Sequence, residues 1–426
     1  MFKFFRKKKS KPTMKRSLLP SEKTKKGEPS YPLLLLTVFM SLSGLLMVFS
    51  ASAVIAYIYD NGDTFFFLKK QILWIFIGTI LAIILYKLPL GALRKFSYFL
   101  IVISIILLLY TIPEALFHIE VPFVKTLNGA TRWIDMGFFD LQPSEVFKFA
   151  VVLFTASYMT MSESTKKSLD KLVKSKEKSP FWHFIYSGFF SLLPIIAVGT
   201  GSLLILLQRD LDTIVIIVLS FLVVYYIGGT TRLHTLMAQL VLFGSLIIGT
   251  LASILEPYRR SRVSAFVQIL LHGEPSEVSK AGDSFQVWNG LIAIGSGGLF
   301  GVGYGESRLK LFFLQEAAYT DSIFAIIGEE FGLFGTLLVV FGFIYFLSIG
   351  LKIAKNSPTK FGSLLAVGFT SWIVIQAFLN IAANLALIPF GGIPLPFFTY
   401  GGSNTMMILM AVGILLNISR TKKAAR

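Results

Sequence analysis

YPLLLLTVFMSLSGLLMVFSASAVIAYI, residues 31 to 58, contains no charged side chain. Roughly 20 apolar residues, at ~1.5 Å each, cross a ~30 Å hydrocarbon layer as a helix, so this run is long enough to span a membrane. It is too long for the apolar core of a secretory signal and carries no convincing cleavage site, which makes it a retained first span. Lys7, Lys8, Lys9, Lys11, Lys15, Arg16, Lys23, Lys25 and Lys26 precede it and mark residues 1–30 as a basic tail.

Runs of the same kind recur along the chain, near 33–57, 70–87, 96–113, 145–161, 182–206, 211–228, 233–255, 321–350, 361–387 and 398–419. They predict an all-α polytopic integral membrane protein with about ten transmembrane helices across residues 31–420. Only Gln208, Arg209 and Asp210 separate the fifth and sixth runs, so two helices or one broken, re-entrant element both fit. Composition excludes a water-soluble fold: 54% of residues are hydrophobic and 15% charged, against roughly a quarter charged in soluble domains. The net charge of +17 does not call for nucleic acid, because the basic residues flank apolar spans, where topology and anionic headgroups account for them. There is no cysteine, hence neither a disulfide framework nor a thiolate metal site. His118, His183, His234 and His272 lack ligand spacing, which argues against zinc.

Short cytoplasmic loops collect Lys and Arg. With the N-terminus inside, the inner segments hold Lys87, Arg94 and Lys95, then Lys166 to Lys178, then Arg232, then Lys352, Lys355 and Lys360, then Arg420, Lys422, Lys423 and Arg426. Both termini are thus expected in the cytoplasm, with 421–426 as a short tail and 114–144 and 256–320 as large outer loops. Connections of that length are more often functional than idle. No internal repeat supports an inverted-repeat transporter.

Polar residues at membrane depth are expensive and mark candidate sites. Gln142, Pro143, Ser144, Glu145 and Lys148 open the fourth span. Glu145 and Lys148 share a helix face, and read either as a structural ion pair or as a cation meeting a lipid diphosphate. Asn128 to Ile134, with Arg132 beside Trp133, suits a headgroup-level anchor as well as a site. Gln208, Arg209, Asp210 and Asp212 are either water-exposed or catalytic. The stretch from Gln286 to Gly332 contains Gly295, Gly297, Gly298, Gly301, Glu316, Asp321, Glu329 and Glu330. Asp321, at the head of an apolar helix, is either a helix cap or a general base at the mouth of a cavity roofed by the glycine-rich loop. Pro394 to Ser403 loses two backbone donors to proline and predicts a broken or re-entrant segment.

In this order the motifs resemble the SEDS family (shape, elongation, division and sporulation), the FtsW/RodA type, from about 37 to 420. The resemblance rests on Asn128 to Ile134, Gln142 to Lys148, Gln208 to Thr213, Ile292 to Gly305, Thr320 to Gly332 and Pro394 to Ser403. It implies a SEDS-type ten-helix fold in the bacterial cytoplasmic membrane and a peptidoglycan glycosyltransferase that polymerises lipid II at the outer face. It also implies Asp321 as the essential carboxylate. The family's substrate-binding positions fall on Arg132, Glu145, Lys148, Gln208, Asp210, Arg262, Gln286 and Ser403. Implied partners are lipid II, undecaprenyl-diphosphate-linked glycan, a class B penicillin-binding protein, other divisome or elongation proteins and membrane lipids. A divalent cation, magnesium or manganese, would suit a diphosphate, but no ligand set stands out.

Two departures stand in this chain. The family's Leu-Pro-Glu-Ala-His-Thr-Asp reads Leu314 to Asp321 without Pro or His and with one residue more. Its Gln-Pro-Asp-Leu-Gly-Thr carries Arg209 for Pro and Asp212 for Gly. Ser307 and Lys310 resemble the FtsW branch, which points to septal synthesis in cell division. A RodA-like elongation polymerase, a lipid II flippase and a non-catalytic scaffold are the rival readings.

Overall fold

The computed structural model describes residues 24–59, 62–127, 130–137, 139–174, 180–229, 232–272, 283–310, 315–389 and 391–423. In chain order the elements are β1 (Thr24–Lys26), α1 (Tyr31–Tyr59), α2 (Phe66–Lys87), α3 (Leu90–Phe117), β2 (Val124–Leu127), β3 (Ala130–Asp135), β4 (Asp140–Leu141), α4 (Pro143–Lys174), α5 (Pro180–Leu207), α6 (Leu211–Gly228), α7 (Arg232–Leu255), α8 (Pro257–His272), α9 (Asp283–Ser296), α10 (Gln315–Tyr319), α11 (Ile323–Asn356), α12 (Lys360–Asn384), α13 (Gly402–Ser419) and β5 (Thr421–Lys423). Every apolar run of the sequence falls on a long helix. Among the described residues eight of these are long and apolar enough to cross a membrane. The other two are α4, whose apolar run Glu145 and Lys148 interrupt, and α5, apolar over Leu192–Leu207.

The bundle is built for lipid. Leu240, Phe243, Leu246 and Ile247 of α7 are more than half exposed, while Gln71, Glu145, Lys148, Glu330, Gln376, Asn380 and Asn417 are buried. In hydrocarbon an unsatisfied polar group costs several kcal/mol, so polar side chains turn inward and find partners. The helices α4, α12 and α13 occupy the centre and α7 the rim.

The outer loop 114–144 is not irregular: β2, β3 and β4 form an antiparallel sheet, with Val124 opposite Ile134 and Asp135 opposite Asp140. At the other end of the bundle β1 pairs antiparallel with β5, Thr24 opposite Lys423, so residues 24–26 and 421–423 meet on one face.

Two irregular segments break the helical pattern. Residues 391–401 run without helix through the interior, with Ile393, Leu395, Phe397, Phe398 and Thr399 buried, as the two prolines predict. Helix α11 breaks at Gly332 (φ 64°, ψ −157°), and the glycine-rich loop fills the break. Val302 N–H donates to Glu329 O and Gly303 N–H to Glu330 O, while Leu333 and Phe334 donate to Gly298 O and Leu299 O. A Cβ at Gly332 would stand 2.5 Å from Gly301 N, so only glycine fits. This corrects the expectation that the loop roofs the cavity at Asp321. Its amides and carbonyls serve the broken helix instead.

Candidate active site

Thr320 and Asp321 form the turn between α10 and α11. Ser322, not Asp321, is the N-cap of α11, and no side chain caps it. Asp321 is held differently: its main-chain carbonyl accepts from Asn380 Nδ2 (2.8 Å) and Asn384 Nδ2 (3.0 Å) of α12. Its half-buried carboxylate accepts from Thr320 Oγ1 (3.1 Å) and Gln286 Nε2 (3.4 Å). Gln286 also reaches Ser322 Oγ (3.1 Å). Asn380 donates to Ile393 O (2.7 Å) as well, and Thr399 Oγ1 donates to Thr320 O (3.1 Å) while accepting from Leu395 N–H (2.7 Å). The irregular segment is thereby stapled alongside Asp321.

Gly391 and Gly392 carry that segment between two carboxylates. A Cβ on Gly392 would lie 3.7 Å from Asp321 Oδ2, and one on Gly391 only 2.4 Å from Asp212 Oδ1, so a larger residue at 391 would displace the Asp212 carboxylate. Asp212 lies 3.6 Å from Arg262 Nη1 of α8. Beside it, Arg209 Nε stands 3.5 Å from Glu256. Arg132, from β3, donates to Gln208 O (3.1 Å) and Arg209 O (2.6 Å) and lies 3.8 Å from Asp210. Asp210 caps α6 through Thr213 N–H. These contacts form one polar track from Arg132 past Asp212 and Arg262 to Asp321 and Gln286. Burial holds the Arg259 guanidinium, on α8, below its ordinary pKa, while the charges of Glu256, Asp212 and Asp210 oppose that shift.

Arg209 itself sits at φ 64°. Proline cannot adopt that angle, so the turn between α5 and α6 has a geometry the family's Pro would not permit. It joins two separate helices, and the re-entrant alternative does not hold.

The residues expected at the site divide in two. Asp321, Gln286, Arg132 and Arg262 are half-buried on the polar track. Glu145, Lys148, Gln208, Asp210 and Ser403 are buried and serve the frame. Lys148 Nζ meets Glu145 Oε1 (2.7 Å) and Gln376 Oε1 (3.1 Å), and Gln376 Nε2 donates to Pro394 O and Asn404 Oδ1. Of the two readings of Lys148, these contacts match the structural ion pair, which through Gln376 also braces the 391–401 segment. Gln208 Nε2 reaches Thr111 Oγ1 and Leu108 O, and Ser403 Oγ links Gln142 N–H to Asp140 O. Glu316 and Leu314 lie outside what is described here, in side chain and in full respectively. Among the described residues no three His, Asp or Glu gather as metal ligands, so a divalent cation receives no assigned site.

Sequence reasoning passed over Asn380, Asn384 and Gln376. The amides on α12 recur at four-residue spacing, 376, 380 and 384, one polar stripe in an otherwise apolar helix. That stripe is the signal that could have found them.

The fold and the polar track define a polytopic membrane protein with an acidic site at the mouth of its bundle. The sequence profile of the FtsW/RodA/SpoVE family, described as cell cycle proteins, matches residues 31–424, and the chain belongs to that family. Among its relatives, Stage V sporulation protein E of Bacillus subtilis is 36% identical over 93% of this chain and 98% of that protein. The "Probable peptidoglycan glycosyltransferase FtsW" of Coxiella burnetii is 35% identical over 90% and 94%. Among solved structures, a chain from one described as "Structural coordination of polymerization and crosslinking by a peptidoglycan synthase complex" superposes with a TM-score of 0.65 at 22% identity, covering 92% of this chain and 98% of that one. Rod shape determining protein RodA of Thermus thermophilus superposes at 0.58, also at 22% identity, covering 92% and 97%.

Proposed function

We propose that this chain is a peptidoglycan glycosyltransferase that polymerises lipid II at the outer face of the cytoplasmic membrane, with Asp321 as general base. The observation that carries the reading is how Asp321 is held. Two asparagines fix its main chain while its carboxylate stays partly open on a track that also presents Arg262 and Arg132. The face that carries the β1–β5 pair is the cytoplasmic one, a reading supported by Lys87, Arg94, Lys352, Lys355 and Arg420 on that side. Asp321 stands at the other end of α11, a 34-residue helix.

In this reaction the acceptor sugar's 4-hydroxyl attacks the anomeric carbon of the lipid-linked donor. The bond from that carbon to the diphosphate oxygen breaks, and the polyprenyl diphosphate leaves with the electron pair. Asp321 takes the hydroxyl proton, and the guanidinium groups of Arg262 and Arg132 stabilise the departing charge. Gln286 orients the carboxylate. The names borne by the FtsW relatives support the activity; the family's description as cell cycle proteins is what supports a septal role in division, and the likeness to a chain of a peptidoglycan synthase complex is what supports a class B penicillin-binding protein as partner.

The test is purified protein with that partner and lipid II, in the presence of a penicillin and an inhibitor of glycosyltransferase domains, with products resolved by gel. Long glycan is expected from the wild type. Asp321→Asn should lower its yield ~10²- to 10⁴-fold, the usual worth of a positioned base, without changing thermal stability. Unchanged glycan from that variant removes Asp321 from the reaction, and transbilayer movement of lipid II without any glycan restores the flippase reading. Depletion in cells separates the two roles: filaments follow loss of septal synthesis, rounding follows loss of elongation.

A further inference from the structure

A cleft of about 370 Å³ opens on the face that carries the β1–β5 pair, lined by Glu28, Ser30, Tyr345, Ile349, Lys352 and Asn356 among others. That volume lies at the small end for ligand sites. Its walls come from three places. Tyr345, Ile349, Lys352 and Asn356 recur at helical spacing on the last turns of α11. Ile418 and Ser419 end α13. The third wall, residues 28–30, belongs to the N-terminal segment and is fixed by the clasp of β1 on β5: Gly27 N–H donates to Arg420 O (2.6 Å) and Ser30 N–H to Ser419 Oγ (2.9 Å).

The charges in this cleft are of both signs and face it from different elements. Glu28 and Lys352 have neither a hydrogen-bond nor an ion-pair partner among the described residues. Arg420, the nearby guanidinium, is engaged elsewhere, bonded to Tyr86 O and stacked on the Tyr86 ring. The lining also includes the apolar Pro32, Ile349 and Ile353, and α1 and α11, which supply these residues, expose Leu35, Phe341 and Ile344 to the surroundings. A ligand suited to this site has an anionic group for Lys352, a cationic hydrogen-bond donor for Glu28 and apolar chains that run into the bilayer. An anionic headgroup without an amine would leave Glu28 facing its own charge, and a quaternary ammonium cannot donate to it.

We propose that the cleft binds the headgroup of an aminophospholipid such as phosphatidylethanolamine from the leaflet on this face, phosphate on Lys352 and primary ammonium on Glu28. The site is independent of the reaction at Asp321. The bound lipid would bridge α1, α11 and α13 and so hold the N-terminal segment in place.

Native mass spectrometry of the full chain, stripped of lipid and offered phosphatidylethanolamine, phosphatidylglycerol and phosphatidylcholine in turn, tests this. The wild type should retain phosphatidylethanolamine several-fold over the other two. Glu28→Gln should erase that preference while keeping some retention of all three, and Lys352→Gln should lower retention of each. Equal retention of the three lipids by the wild type overturns the proposal, as does a preference untouched by either substitution. A competing arm with inorganic phosphate separates the sources: displacement of the lipid by phosphate alone would mean an anion site and would also overturn it.

Discussion

Asp321 and Glu330 belong to the same stretch of chain, less than three helical turns apart, yet their surroundings are opposite. Glu330 is 1% exposed and accepts from Lys310 Nζ (2.8 Å) and Ser50 Oγ (2.6 and 2.8 Å). Lys310 also donates to Gly305 O, and the neighbouring Glu329 accepts from Ser307 Oγ and Arg308 N–H. Every acceptor in that cluster is used to tie the glycine-rich loop and α1 to the broken helix. At Asp321 it is the backbone that is tied, by Asn380 and Asn384, while the carboxylate keeps a partly open side. A carboxylate fixed through its side chain serves the fold. One whose main chain carries the firmer ties, with its carboxylate half-buried, matches the role proposed for Asp321.

The sharpest way to break this contrast is at Lys310. Lys310→Ala leaves Glu330 buried and unpaired, which costs ~3–5 kcal/mol, so thermal unfolding in detergent should occur at a much lower temperature. Replacing the pair together, Lys310→Met with Glu330→Leu, should recover most of that loss, because an apolar pair of similar volume needs no desolvated charge. A single substitution costing under ~1 kcal/mol, the range of exposed pairs, would show that the cluster is not sealed.

A smaller effect is expected at the clamp. Asn380→Ala or Asn384→Ala removes two hydrogen bonds, each worth ~1 kcal/mol to stability, and shifts the carboxylate. Misplacement by ~1 Å can cost ~10² in rate, so polymerisation by either variant should fall ~10- to 100-fold, mostly in kcat, with little change in KM. Loss of stability and activity in equal proportion would mean that the amides merely pack the interior.

How much of this was legible in the sequence follows from the range of each interaction. Apolar runs are local, and they located every long helix, including α4 despite its ion pair. Glu145 and Lys148 were readable as partners because i,i+3 spacing fixes their contact. Asp321 was readable as the carboxylate at the head of α11, but not the manner of its support, since Asn380 and Asn384 are about sixty residues away. Which face of α12 turns inward is settled only by packing. The same limit hid the partnership of the glycine-rich loop with Gly332, whose backbone break no side chain announces. The sheet of β2 to β4 was missed for another reason: Asn128-Gly129 between two alternating stretches is a hairpin signal, and a reading of Asn128 to Ile134 as a headgroup-level anchor or a site makes no use of it.

That sheet also supplies the weakest of the effects, and it sharpens the contrast between sealed and exposed charge. Lys125 lies between Asp135 (3.0 Å) and Asp140 (2.8 Å), with all three side chains about one-third exposed or more. Hydrogen bonds that Lys125 donates first to Asp140 and then to Asp135 raise its pKa, and the Gly137 N–H, followed by Lys125, lowers that of Asp135. A lowered carboxylate stabilises the sheet above its unfolded pKa and loses that contribution as pH falls through the folded one. A raised lysine contributes fully below its unfolded pKa and loses the contribution as pH rises through the folded one. Hydrogen exchange of the β2 and β3 amides, corrected for the intrinsic rate, should therefore be flat between these limits and accelerate modestly beyond each, below the ordinary aspartate range and above the ordinary lysine value. Because these charges are open to water, high salt should flatten both limbs, whereas the stability gap between wild type and Lys310→Ala should persist in the same salt. A sheet indifferent to pH and salt would place Lys125 among charges that cross-link nothing.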